Sequence, residues 1–116
     1  MNPSILFVIT SDPQTSHRPA EAMRIAAGIG TWRQCAVAVY LRGLAAALLG
    51  ATQKPMVDEE ICRQNLAMLV EAGGAVYVQR ETLPLPSTLH ALPRLQAISD
   101  SELLQLADQY TLVLHF

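Results

Sequence analysis

With 116 residues, a hydrophobic fraction of 51% and a charged fraction of 16%, the chain has the size and apolar content of one domain, and residues 1–116 are read as such. A formal charge of -2 with eight scattered Lys and Arg residues offers no basic field for a phosphate backbone, which excludes nucleic acid as the expected partner. So few charges on so small a body imply that part of its surface is covered by other subunits, and self-association is expected.

The N-terminal residues MNPSILFVIT lack the basic n-region of a signal peptide, and their apolar run is too short for one. Ile5 to Ile9 (ILFVI) is instead a first strand, rich in β-branched and aromatic residues. The polar stretch Thr10 to Ser16 (TSDPQTS) carries turn-forming and helix-capping residue types, so a helix is expected after it. Pro19 suits its first turn and Glu21 complements its positive end. Ala22, Ile25, Ala26 and Ile29 mark an inward stripe at helical spacing, and Gly30 is the expected stop.

Ala36 to Leu41 (AVAVYL) reads as a second strand closed by Arg42 and Gly43. Those two residues interrupt the apolar stretch from Cys35 to Ala51, which also falls short of the roughly 20 residues a bilayer needs. No membrane segment is expected. Leu44 to Leu49 (LAAALL) has strong helix propensity and almost no polar face, so a buried helix is expected there, with a subunit interface as its place. Gly50 to Val57 (GATQKPMV) reads as a loop. Asp58 then caps a long helix from Glu59 to Ala72, with Ile61, Leu66, Leu69 and Val70 facing inward and Gly73-Gly74 ending it.

Ala75 to Val78 (AVYV) is the third strand. The stretch through Leu83, Pro84, Pro86 and Pro93 is a loop or broken helix, because proline removes backbone donors. Leu95 to Ile98 is a short fourth strand, Ser99 or Asp100 caps a helix from Ser101 to Ala107, and Tyr110 to Phe116 (YTLVLHF) is the fifth strand. Its apolar run calls for neighbours on both faces, as in a sheet covered by helices. The expected class is thus α/β, with a mostly parallel sheet of about five strands joined by right-handed crossovers.

Open α/β sheets hold ligands at the carboxyl ends of their strands. Thr10, Ser11 and Asp12 follow strand one, Arg42 follows strand two, and Gln79 with Arg80 follows strand three. This set is the expected ligand site. Arg42 and Arg80 have the chemistry to hold a small anion such as a carboxylate, sulfate or thiosulfate, with His17 and Arg18 as neighbours that can join them. The other reading of the arginines is solvated loop residues or intersubunit ion pairs.

Cys35 and Cys62 lie far apart in sequence without CxxC or metal-ligand spacing, so neither a disulfide nor a metal site is indicated, and a reducing cytoplasm fits. Cys62 stands in the first turns of the long helix beside Arg63, where the helix field and a cation can lower its pKa. Cys35 opens the second strand and reads as a buried thiol. His90 in the proline-rich stretch and His115 in the last strand form no ligand pair, and His115 reads as a satisfied strand histidine. No phosphate loop, hydrolase elbow, cofactor motif or paired carboxylate occurs.

The order of these elements, the phrase YLRGLAAALLGATQKP, the long helix closed by Gly73-Gly74 and the ending LLQLADQYTLVLHF resemble the DsrE/DsrF-like family, which includes the sulfur-relay subunits TusB, TusC and TusD. The resemblance implies a Rossmann-like three-layer sandwich assembling into trimers or hexamers, with other DsrE/DsrF-like subunits as partners and a sulfur species as cargo. In members that relay sulfur, the acceptor cysteine follows the third strand. Here Val78 takes that place, and no cysteine occurs from Gly73 to Phe116. Persulfide transfer needs a thiolate, so the resemblance implies a scaffold or binding subunit in sulfur metabolism. Cys62, and after it Cys35, would be the acceptor if sulfur were carried. The alternative is a small-ligand or anion-binding protein of the same fold.

Overall fold

The computed structural model describes residues 3–32, 35–49, 57–80 and 95–116. Five strands, β1 (Ser4–Ile9), β2 (Ala36–Leu41), β3 (Ala75–Gln79), β4 (Leu95–Ile98) and β5 (Leu112–His115), form one parallel sheet in the order β4-β3-β2-β1-β5. Three α-helices, α1 (Arg18–Trp32), α2 (Glu59–Glu71) and α3 (Asp100–Ala107), and a 3-10 segment (Gly43–Leu49) complete the described elements. No helix among the described residues is long and apolar enough to cross a membrane.

Alternation along the strands divides the core in two. Phe7, Ile9, Val37, Val39, Leu41, Val76 and Val78 face a layer made by α1 and α2. Leu6, Val8, Ala38, Tyr40 and Ile98 face the opposite side, where Leu103, Leu106 and Ala107 of α3 pack. Phe7, Ile9, Tyr40 and Leu69 are fully buried, and each such side chain contributes about 1.5–3 kcal/mol of hydrophobic stabilisation. α3 has no buried residue, so it covers its face thinly.

The central strands β1 and β2 have the continuous burial expected of a covered parallel sheet. The last strand has the expected neighbours on both faces but is less enclosed than β1 and β2. Among the described residues β5 pairs only with β1, at the sheet edge, and Leu112 is 47% exposed. Leu114 and Phe116 pack on the α1–α2 side and Val113 on the α3 side, so both faces are partly covered.

In α1 the inward stripe is Ala22, Met23, Ala26, Ala27 and Gly30, while Ile25 is exposed. The helix does not stop at Gly30. A Cβ there would lie 3.1 Å from Leu69 Cδ1, so this glycine lets α1 and α2 approach closely. In α2, Cys62, Leu66 and Leu69 are buried and Ile61 is exposed. Asp58 occupies the N-cap position in the left-handed region (φ 55°) and makes no capping hydrogen bond. Its carboxylate instead meets His17 Nδ1 at 3.0 Å. At the other end, Gly73 N–H donates to the Val70 carbonyl and Gly74 N–H to that of Leu69, the Schellman arrangement that glycine at positive φ permits.

The LAAALL segment is a 3-10 turn and not an α-helix, and its Leu44 is 67% exposed while Ala45 is buried. Gly50 to Met56 and the proline-rich stretch with His90 lie outside the described residues.

Candidate functional site

The sheet order reverses between β1 and β5: the chain builds outward from β1 to β4, then returns on the other face through α3 to place β5 beside β1. In open α/β sheets such a switch point leaves a crevice at the carboxyl ends of the strands. A cleft of about 350 Å³ lies here, within the size range of small-ligand sites. Thr10, Arg42, Ser101, Asp100 and His115 supply its polar lining, and Val8, Leu103 and Leu104 its apolar wall.

Of the residues expected at this edge, Thr10 and Arg42 line the cleft. The loop after β1 is fixed by the last strand, since Thr10 N–H and Ser11 N–H both donate to the Phe116 carbonyl at 2.8 and 3.3 Å. Asp12 serves that loop internally: its Oδ1 accepts from Gln14 N–H at 2.9 Å, and its carbonyl accepts from Thr15 and Ser16. Arg18 donates to the His115 carbonyl at 3.4 Å and its guanidinium lies 5.8 Å from the Phe116 ring centroid. His115 is exposed at the cleft and not enclosed in the strand layer.

Arg42, Gln79 and Arg80 do gather at one edge, but α3 supplies carboxylates to all three. Asp100 Oδ1 accepts from Tyr40 Oη at 3.2 Å and from Arg42 Nε at 3.1 Å. Its Oδ2 accepts from Arg42 Nη2 at 3.1 Å and Gln79 Nε2 at 3.2 Å. Gly43 N–H donates to Gln79 Oε1 at 2.9 Å, which turns the amide so that its NH₂ faces Asp100. The Arg42 hydrogen bond above all, helped by Tyr40 and Gln79, holds the Asp100 carboxyl below its usual range; desolvation, second in size after Arg42, opposes them. Arg80 meets Glu102 at 2.8 Å and the Ala97 carbonyl at 3.3 Å. Glu102 is the far half of a capping box with Ser99, whose backbone N–H, followed by its hydroxyl and then Arg80, depresses the Glu102 pKa.

Sequence reasoning found the donors here and missed the acceptor. Asp100 was legible only as a helix-start residue, because its pairing with Arg42 spans 58 positions. The one local signal was the spacing of Ser99 and Glu102, which reads as a capping box.

The cysteines are elsewhere. Cys62 is 1% exposed beneath the helix layer, and its pKa is not lowered, as the helix start and Arg63 suggested, but raised to about 11. Burial is the main cause, and the neighbouring Asp58 and Glu59 carboxylates add to it. Cys35 is 8% exposed and its Sγ lies 3.6 Å from the Ala36 carbonyl. It borders a second cleft of about 430 Å³ at the opposite edge of the sheet, with Gly73, Gly74 and Tyr110. Val78, where the family resemblance places a sulfur acceptor, is fully buried in the sheet facing the α1–α2 layer. No cluster of metal-ligating side chains occurs among the described residues.

No family model matches the chain, and no curated protein does. Among solved structures, the crystal structure of the ychN protein from E. coli matches over 100% of both chains, with a TM-score of 0.76 and 22% sequence identity. That neighbour has a DsrE/TusB-like fold. At this identity the likeness shows the architecture: the chain is a five-stranded parallel α/β protein with a DsrE-like fold.

Proposed function

We propose that this protein is a self-associating scaffold or binding subunit of sulfur metabolism that does not itself carry sulfur. The observation that carries this reading is the state of its two thiols on a DsrE-like fold. Cys62 is buried with its pKa raised to about 11, and Cys35 is buried at the edge remote from the β1–β5 crevice. A persulfide carrier needs an accessible thiolate. At the third-strand position the chain offers Val78, Gln79 and Arg80, none of which can take up sulfane sulfur.

Self-association is supported by Trp32, Leu44 and Leu104, which are 67%, 67% and 71% exposed, on a chain poor in charge. A trimer or hexamer, alone or with other DsrE/DsrF-like subunits, follows from the family resemblance. Sedimentation velocity at micromolar concentration tests it: an assembly of three or six chains is expected, and a strict monomer contradicts the scaffold role.

The cleft at the β1–β5 crevice favours a second reading, a small-ligand or anion-binding protein of the same fold. Thermal-shift titration with sulfur oxyanions, small carboxylates and nucleotides tests that reading. It requires stabilisation that Arg42→Ala removes, and no ligand stabilising the wild-type chain or its Asp100 variants would end it.

A further inference from the structure

We propose that Tyr40, Arg42 and Gln79 form a receptor for a carboxylate whose resting occupant is the chain's own Asp100, and that the adjoining cleft accepts the apolar tail of an external monocarboxylate that displaces it. The inference rests on the second reading above and specifies its ligand.

Four hydrogen bonds converge on one carboxylate, two to each oxygen. The Nε and Nη2 donors of Arg42 take the two oxygens side by side, the fork geometry that matches a planar carboxylate. Tyr40 and Gln79 each add one donor in fixed positions: the Tyr40 side chain is fully buried, and the Gln79 amide is oriented by Gly43 N–H. The receptor side is therefore built on β2, the residue that follows it, and the end of β3. The occupant is not. Asp100 is the first residue of a helix with no buried side chain, and its own side chain is 47% exposed. Exposed ion pairs of this kind contribute little to stability, so an external carboxylate that gains apolar contact has the advantage.

The cleft supplies that contact. Arg42 and Asp100 line it together with the apolar Val8, Leu103 and Leu104, and its volume of about 350 Å³ holds a short aliphatic chain. Inorganic sulfate would engage Arg42 but leave the wall unused. The ligand class is therefore a monocarboxylate with a short apolar chain.

Hexanoate, acetate and sulfate titrated into wild type, Asp100→Ala and Asp100→Ala/Arg42→Gln, followed by calorimetry and thermal shift, test the proposal. Hexanoate is expected to bind Asp100→Ala about tenfold or more tighter than wild type, to exceed acetate and sulfate, and to lose this gain in the double variant. Equal binding of hexanoate to wild type and Asp100→Ala would overturn the internal-occupant inference while leaving the anion-binding reading in place. Hexanoate binding to neither would overturn the inference, and the anion-binding reading falls with it only if acetate, sulfate and nucleotides also fail to stabilise either protein. Asp100→Asn, which keeps the side-chain shape and removes its charge, replaces the Ala variant if circular dichroism shows that the latter does not fold.

Discussion

Cys62 shows how one residue's surroundings decide its chemistry. In sequence it has a helix start and an arginine beside it, both of which favour a thiolate. In the fold it points from α2 into the core, so burial and two nearby carboxylates oppose the charge, and the pKa rises to about 11. At pH 7 roughly one thiol in ten thousand is ionised. Alkylation by iodoacetamide at neutral pH is therefore expected to reach Cys62 only after denaturant is added, and rapid labelling of the native protein would contradict its burial. Tyr110 is shifted in the same sense, to about 12, by burial and the neighbouring Tyr77 phenol. Both groups favour the folded state while neutral. Their contribution is complete below their ordinary values of 9.0 and 10.0 and is lost as the pH rises through the shifted ones. Denaturant midpoints are thus expected to fall above about pH 9, and a flat profile to pH 11 would show that neither group is desolvated.

The elements were unevenly legible. β2 and β4 could be bounded from sequence because each is an apolar run flanked by polar or proline-rich residues, and those bounds match the structure. α1 was misread at Gly30 because a glycine that permits close helix approach and one that ends a helix look alike until the partner is known; here the partner is Leu69. Asp58 stands at the N-cap as its sequence position implied, but its carboxylate meets His17 Nδ1 and makes no capping bond. Glycine substitutions separate these roles. At Gly28 an added Cβ meets nothing within 4 Å, so Gly28→Ala should stabilise the protein by about 0.5–1 kcal/mol. At Gly74 it would lie 2.5 Å from Leu69 Cδ1 and 3.0 Å from the Leu69 carbonyl oxygen, so Gly74→Ala should destabilise by about 1–3 kcal/mol. Urea midpoints check both signs. For α3, whose capping box adds to the partly buried packing of Leu103, Leu106 and Ala107, Ser99→Ala should cost about 0.5–2 kcal/mol. Amide exchange in 100–107 should accelerate before that in β1 or β2.

For the whole molecule, composition already pointed to a covered surface, and the structure locates candidates for it. Ile25, Trp32, Ile61 and Met68 are exposed on α1 and α2, while Leu44, Leu104 and Leu112 are exposed on other elements. The sequence could not say which hydrophobics remain outside, since the inward stripe of each helix is set by its rotation against the sheet. Trp32 is the sole tryptophan and reports on the helix layer directly. Its emission should shift to shorter wavelength as concentration rises through the association range; constant emission alongside an observed assembly would place the contact on the other elements.

Peptide mass spectrometry decides whether this DsrE-like fold works without carrying sulfur, as proposed above. The native protein is incubated with a cysteine desulfurase and cysteine, and the peptides containing Cys35 and Cys62 are weighed. No added sulfur on either is the expected result. Sulfur retained on Cys62, discharged to an added thiol and absent in Cys62→Ser, would make the protein a relay subunit and contradict the account.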